Sequence, residues 1–190
     1  SNKNEFVSRG ALKIEPVILN QNISIKNKVC LDIGSSTGGF TEVLLKHNAK
    51  KIYAIDVGYG QLHEKIKYNK KVISFERTNA KYLDHKIIPE KIDIIVCDAS
   101  FISLKKVINV PLNFLKNNGY VIALIKPQFE AKKNEVKKGG IVKDSLIHER
   151  VCNEIKEWFE EEKKFKVLKI IESSIKGPKK NKEFFIVAIK

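Results

Sequence analysis

The 190-residue chain carries 36 Lys and Arg against 22 Asp and Glu, which gives a formal net charge of +14. This excess favours a polyanionic partner, either nucleic acid or an anionic membrane, over the alternative of a merely lysine-rich surface. A hydrophobic content of 43% at this length predicts one globular domain. No apolar run approaches the ~20 residues of a membrane-spanning helix and no signal-peptide pattern opens the chain, so we expect a cytoplasmic protein.

The cysteines and histidines do not form a recognisable metal or disulfide pattern. Cys30, Cys97 and Cys152 are far apart, and two of them lie in predicted strands. We therefore expect small buried thiols that form no disulfide. The four histidines lack ligand spacing, so no metal site is predicted.

The start of the chain predicts a linker followed by a helix. Methionine is absent even at position 1, so we interpret residues 1–5 as a tag scar or linker ahead of a single domain. Residues 6–19 favour a short helix with Ser8 as its N-cap. Pro16 predicts either a kink or a later start near Glu15. Spacing alone favours an exposed position for Lys13.

The segment VCLDIGSSTGGF, residues 29–40, is typical of a strand, a tight turn and a helix start. Small residues in the turn let the backbone approach a ligand, and the first N–H groups of the helix are free to bind it. A second apolar run ends at Asp56, where a carboxylate can accept hydrogen bonds from ribose hydroxyls. The spacing Asp32-x-Gly34-x-x-x-Gly38 does not match a dinucleotide fingerprint. It resembles the first motif of S-adenosylmethionine-dependent methyltransferases, and the alternative is a plain chain reversal.

The rest of the chain alternates between predicted strands and helices. Strands are predicted over residues 51–55, 72–75, 92–97, 120–125, 166–171 and 183–189, and helices over 38–47, 61–68, 104–115 and 145–163. Residues 128–140 are predicted to form a mobile basic loop. Continuous apolar strands indicate a parallel sheet buried on both faces, with the last two strands pairing antiparallel. The fold class predicted is therefore α/β: a Rossmann-like, doubly wound, mostly parallel sheet of seven strands with a terminal antiparallel hairpin.

Four polar residues fall at or just past the carboxyl ends of strands, where ligands bind in such sheets. They are Asp32, Asp56, Asp98 and Lys126. An ionised lysine is a poor base, so Lys126 would need surroundings that favour its neutral form in order to activate a hydroxyl nucleophile. From spacing alone, a plain ion pair between Asp98 and Lys126 at the sheet edge is about equally well supported.

Seven ordered segments of the chain resemble one family. They are VSRGALK (7–13), CLDIGSSTGGF (30–40), YAIDVGYGQL (53–62), ERTN (76–79), DASFISL (98–104), LIKPQFE (124–130) and IKGPKKNKEFF (175–185). Together they resemble the TlyA family of ribosomal-RNA 2′-O-methyltransferases, within the FtsJ-like group whose members are often labelled haemolysins. The resemblance covers nearly the whole chain.

The resemblance implies both a reaction and a set of site residues. It implies methyl transfer from S-adenosylmethionine to a ribose 2′-hydroxyl of ribosomal RNA, carried out by a Lys-Asp-Lys-Glu tetrad. Matched residue by residue, the tetrad falls on Lys13, Asp98, Lys126 and Glu183. The implied cofactor-binding residues are Asp32, Gly34, Ser36, Thr37, Gly38, Phe40, Asp56, Val57, Asn79 and Asp98.

Two other functions remain as alternatives. One is a module that binds cofactor and RNA without turnover, which the positive charge would suit. The other is a membrane-active haemolysin, which only the family label suggests. The family also carries a small N-terminal RNA-binding domain that this sequence lacks, so we expect residues 1–190 alone to bind RNA weakly.

Overall fold

The computed structural model describes residues 6–190, and the predicted linker at residues 1–5 lies outside the described part. Its seven strands are β1 Val29–Ile33, β2 Lys51–Ile55, β3 Val72–Phe75, β4 Ile92–Cys97, β5 Leu115–Ile125, β6 Lys166–Glu172 and β7 Phe184–Ile189. Its α-helices are α1 Arg9–Asn20, α2 Gly39–Lys46, α3 Glu64–Lys67, α4 Leu104–Ile108, α5 Pro127–Glu130 and α6 Ser145–Glu157.

The strands form a single sheet in the order β3-β2-β1-β4-β5-β7-β6. All neighbours from β3 to β5 are parallel, whereas β7 lies antiparallel between β5 and β6. The predicted doubly wound sheet with its terminal hairpin is confirmed. The strand order reverses between β1 and β4, so a crevice is expected beyond their carboxyl ends.

Successive residues of each strand point to opposite faces of the sheet, and each face carries its own core. On one face, Cys30, Ile94 and Ile122 pack under α1 and α2. On the other face, Leu31 and Ile95 pack with residues of α4 and α6, including Trp158 just past the end of α6. The three cysteines are free and buried, as predicted. Burial raises the pKa of the Cys97 thiol, so this cysteine is a poor nucleophile.

Several element bounds differ from the predictions. The helix predicted over 104–115 ends at Ile108, and a 3-10 turn follows at Pro111–Phe114. β5 begins at Leu115, five residues earlier than predicted. The helix predicted over 61–68 spans only Glu64–Lys67, and the one predicted over 145–163 continues past α6 as a π-type turn, Trp158–Glu162.

Two further predictions are corrected. Pro16 lies inside α1, which runs from Arg9 to Asn20 without a break, so the helix does not start near Glu15. The predicted loop at 128–140 contains the end of α5 and a 3-10 turn at Lys133–Glu135. Within residues 6–190, no helix combines the length and apolarity needed to cross a bilayer.

Candidate active site

A cavity of about 370 Å³ opens at the carboxyl ends of β1, β2 and β4. Six of the residues predicted to bind cofactor line it: Gly34, Ser36, Asp56, Val57, Asn79 and Asp98. Ile102 and Val107 add apolar surface to the same cavity. A concave site with apolar walls and a few polar groups suits a nucleoside-like ligand.

The turn after β1 lies against the end of β4. Gly34 has a positive φ of 75°, and a Cβ atom at this position would overlap the carbonyl group of Asp98. The N–H groups of Gly34 and Ser35 both donate to the carbonyl of Ile55, at 2.9 and 3.1 Å. Only glycine fits both the conformation and the close approach, so Gly34 defines the floor of the cavity.

Asp56 is fixed at the end of β2 by two backbone donors. Its Oδ2 accepts from the N–H of Ser36 at 2.7 Å, and its Oδ1 accepts from the N–H of Gly58 at 2.7 Å. A carboxylate oxygen can accept more than one hydrogen bond. The carboxylate is therefore held in place while each oxygen keeps capacity for a ligand hydroxyl.

Asp32 lies behind the turn and does not line the cavity. Its side chain is fully buried, and its Oδ2 accepts from the hydroxyl of Thr41 at 2.6 Å. Burial raises the pKa of Asp32 to about 7; the Thr41 hydrogen bond lowers it, and the nearby carboxylates of Asp98 and Asp56 raise it further. Asp32 therefore supports the turn from behind, through its hydrogen bond with Thr41 on α2.

The remaining three predicted cofactor residues also lie outside the cavity lining. Thr37 is exposed, and Gly38 faces Leu62 with a positive φ of 104°. Phe40 is buried in the core, with its ring centroid 6.2 Å from that of Phe185. These residues therefore lie in the turn and at the start of α2 and do not line the cavity.

The first pair of the predicted tetrad lies at the end of β4 and β5. Lys126 Nζ is 2.5 Å from Asp98 Oδ1 and also donates to Ser100 Oγ at 3.0 Å. Lys126 is buried, and Asp98 is half-buried on the wall of the cavity. Since Asp98 N–H donates to the carbonyl of Ile33 at 3.0 Å, the pair is tied to the glycine turn.

The second pair joins residues 170 positions apart in the chain. Lys13 Nζ on α1 donates to Glu183 Oε1 at 2.9 Å, and Glu183 is fully buried. Lys13 itself is only 8% exposed, so the position on the helix surface favoured by spacing alone is wrong.

Gln128 joins the Lys13–Glu183 pair to α5, the helix that follows Lys126. Its Nε2 donates to Glu183 Oε2 at 3.2 Å, and it lies two residues beyond Lys126 on α5. The β5–β7 register sets Ile125 opposite Phe184, which brings Lys126 and Glu183 to adjacent strand ends. All four tetrad residues therefore meet at the carboxyl edge of the sheet.

Two polar residues of this cluster were missed from the sequence. They are Ser100, which accepts from Lys126, and Gln128, whose Oε1 is buried without a hydrogen-bond partner among residues 6–190. Both stand inside segments that carry the family resemblance, DASFISL and LIKPQFE. Their position in those two segments is the sequence feature that could have identified them as site residues.

Glu130 connects the two loops that carry this cluster. Its carboxylate accepts from the N–H of Leu104 at 2.7 Å and from the hydroxyl of Ser103 at 2.8 Å, at the start of α4. Burial raises the pKa of Glu130, against these two hydrogen bonds. This contact holds α5, which follows Lys126, against the loop that follows Asp98.

The sequence profile of FtsJ-like methyltransferases matches residues 6–190. The chain belongs to this family. It is 45% identical over 150 residues to Hemolysin A of Brachyspira hyodysenteriae, covering 78% of this chain and 62% of that relative. It is 41% identical over 145 residues to the 16S/23S rRNA (cytidine-2′-O)-methyltransferase TlyA of Mycobacterium tuberculosis, covering 76% and 54%.

A solved structure gives the same result. A protein of Lactococcus lactis described as a hemolysin is 38% identical in sequence to this chain. Its crystal structure superposes with a TM-score of 0.94, covering 99% of this chain and 90% of that one. The resemblance predicted from the seven segments is thereby confirmed. The chain spans only about half to three fifths of the two curated relatives named above.

Proposed function

We propose that this chain transfers a methyl group from S-adenosylmethionine to a ribose 2′-hydroxyl of ribosomal RNA, in the cytoplasm. One observation carries the proposal. Two buried lysines, each paired with a carboxylate, meet at the strand ends beside a cavity of about 370 Å³. The function named for the TlyA relative of Mycobacterium tuberculosis supports the choice of ribosomal RNA as substrate.

The residues that line the cavity suit the proposed cofactor. Gly34 and Ser36 would hold its methionine part, the fixed carboxylate of Asp56 would accept its ribose hydroxyls, and Val57 and Asn79 would border its adenine. Asp32, Thr37, Gly38 and Phe40 would act indirectly by shaping the turn. When bound, the cofactor supplies an electrophilic methyl group.

Lys126 is the residue that we assign to the 2′-hydroxyl. Its Nζ donates a hydrogen bond to Ser100 Oγ and forms an ion pair with Asp98 Oδ1. The neutral amine carries a lone pair that can accept the hydroxyl proton, while Asp98 and Ser100 fix the direction of the amine.

Lys13, Glu183 and Gln128 would position the nucleotide. Glu183 holds both the Lys13 ammonium and the Gln128 amide, so the three side chains are mutually oriented before substrate binds. Gln128 Oε1 is buried without a hydrogen-bond partner among residues 6–190, so the Nε2–Glu183 hydrogen bond sets the orientation of the amide. Such orientation before binding lowers the entropic cost of reaching the reactive geometry.

Methyl transfer to purified ribosomal subunits tests the proposal. We expect Lys126→Ala to lose at least about 100-fold in rate, the range typical of a general base. Lys116→Ala is the matched control, because Lys116 also pairs with a strand aspartate, Asp93, at 3.0 Å, but at the amino end of β4. Mass-spectrometric mapping of ribose methylation identifies the modified nucleotide.

Two results would contradict the proposal. Equal rates for Lys126→Ala and the unchanged protein would remove Lys126 from the mechanism. Calorimetric binding of S-adenosylmethionine without methyl incorporation into any ribosomal RNA would instead support a non-catalytic binding module.

A further inference from the structure

Two lysine-rich loops lie side by side next to the Lys13–Glu183 pair. We call residues 131–143 and 173–182 the paired lysine loops. Asn181, which is 3% exposed, joins them: its Oδ1 accepts from the N–H of Val142 at 3.0 Å, and its Nδ2 donates to the carbonyl of Gly140 at 2.8 Å. A buried amide with these partners fixes one loop against the other.

Asn181 also fixes its own loop. Its Nδ2 donates to the carbonyl of Pro178 at 3.2 Å, and its carbonyl accepts from the N–H of Gly177 at 2.8 Å. Lys179 and Lys180 are held in the left-handed region, with φ of 57° and 61°. Two successive lysines rarely adopt this conformation, and it persists only where the surroundings impose it. The loop therefore presents these two side chains in a set arrangement.

The paired lysine loops border the candidate active site. A Cβ atom at Gly177 would overlap the carboxylate of Glu183, so the loop backbone lies directly against that side chain. The N–H of Ser173 donates to the carbonyl of Glu183 at 2.8 Å, and Arg9 Nη2 donates to the carbonyl of Lys176 at 3.4 Å. A chain bound along these loops would reach the tetrad.

The charge of the loops is almost entirely positive and uncompensated. Their one acidic residue, Glu135, is neutralised by Arg150, whose guanidinium donates one hydrogen bond to each carboxylate oxygen. Lys182 lies 3.5 Å from Glu172. No carboxylate of residues 6–190 lies within 4 Å of the side-chain nitrogen of the other loop lysines, all of which are exposed: Lys132, Lys133, Lys137, Lys138, Lys143, Lys176, Lys179 and Lys180.

We propose that the paired lysine loops bind the phosphate backbone of structured RNA beside the nucleotide that enters the active site. This proposal rests on the proposed function and assigns a surface to its substrate. Lysines act as point charges toward phosphates and position the nucleic acid without reading its sequence. A membrane surface fits less well, because insertion of apolar side chains adds to the electrostatic attraction of anionic lipids, whereas Val136, Ile141 and Ile175 of these loops are all half-buried.

Fluorescence anisotropy with a labelled RNA stem-loop, over a series of salt concentrations, tests the proposal. The loop variant is Lys179→Glu/Lys180→Glu. The control is Lys70→Glu/Lys71→Glu, an exposed lysine pair before β3 at the opposite edge of the sheet, which changes the net charge equally. We expect the loop variant to lose RNA affinity at least tenfold. The slope of log K against log salt concentration should also become shallower by about 1.4 to 1.8, since each phosphate contact contributes about 0.7 to 0.9 to that slope. The control should lose less than about threefold.

Three outcomes would overturn the proposal. They are an unchanged RNA affinity in the loop variant, an equal loss in both variants, and a loss of binding to phosphatidylglycerol vesicles with RNA affinity retained. The last outcome would assign the surface to a membrane. A second loop variant, Lys137→Glu/Lys138→Glu, should repeat the RNA result.

The test separates this surface from the reaction. S-adenosylmethionine binding, followed by calorimetry in the same loop variants, should remain unchanged and shows that they are folded. Methyl transfer by the unchanged protein tests the reaction alone. If methyl transfer is absent but RNA binding depends on the loops, the proposed function fails and the surface stands.

Discussion

Replacing Lys13 with methionine separates the structural and chemical roles of the buried Lys13–Glu183 pair. The change removes the ammonium and keeps most of the side-chain volume. Glu183 is fully buried, so it would retain only the hydrogen bond from Gln128, at 3.2 Å. A buried charge deprived of its partner costs about 3 to 5 kcal/mol. That is a large share of the roughly 5 to 15 kcal/mol that stabilises a typical domain.

Urea unfolding measures this cost. With a slope of about 2 kcal/mol per molar urea, the midpoint of Lys13→Met should fall by about 1.5 to 2.5 M. The double variant Lys13→Met/Glu183→Leu removes both charges and should recover most of the lost stability, since apolar replacement of a buried pair is often neutral. Both variants should lose methyl transfer, because the positioning groups are gone.

Lys46→Met is the control for this experiment. Lys46 pairs with Glu15 at 2.9 Å but is 46% exposed, so its loss should cost less than about 1 kcal/mol. If the double variant proves as unstable as Lys13→Met, the cost does not come from a buried unpaired charge. If the double variant methylates RNA at the normal rate, the pair has no part in the reaction.

Two further predictions concern the turn after β1 and the buried aspartate behind it. Gly34→Ala places a methyl group against the carbonyl of Asp98 and should weaken S-adenosylmethionine binding at least tenfold by calorimetry. The control is Gly60→Ala, which has a similar φ of 67° but open space around it and should bind the cofactor normally. Equal losses of affinity in the two variants would show that backbone strain alone is responsible. The raised pKa of Asp32 means that the folded protein holds this proton more tightly than the unfolded chain. The contribution of Asp32 to stability is therefore full below about pH 4 and is lost as pH rises to about 7. Asp32→Asn should lack this decline in urea unfolding between about pH 4 and 7, and parallel curves for the two proteins would contradict the assignment.

The sheet and its order of elements could be predicted because they depend on local patterns. Most residues of β1 to β4 are apolar, and β2, β3 and β4 are each followed directly by an acidic residue, a pattern that survives in any tertiary setting. The Gly34 turn was equally readable, because its small residues serve a backbone requirement. Those two features are enough to place Asp56 and Asp98 at one edge.

The bounds around β5 could not be read locally. Pro111 lacks an N–H group, and the α-helix ends before it, at Ile108. The residues ahead of Tyr120 then join the strand through distant partners: Asn118 N–H donates to the carbonyl of Lys190 at 3.1 Å, and Lys190 N–H donates to that of Gly119 at 3.0 Å. Contacts between residues more than 70 positions apart therefore extend the strand beyond the apolar run that the local pattern predicts.

The two lysines of the candidate site show the same limit more sharply. Lys126 follows a strand, so the fold itself predicts its place at the sheet edge. Lys13 lies on an amphipathic helix, where a lysine is exposed by default, and only Glu183, directly before β7, reverses that expectation. Because β7 inserts between β5 and β6, it brings Glu183 next to Lys126 and under α1 at once. The tetrad therefore depends on the position of the last strand, and any change that shifts the β5–β7 register should disconnect the two pairs even though each lysine keeps its own element.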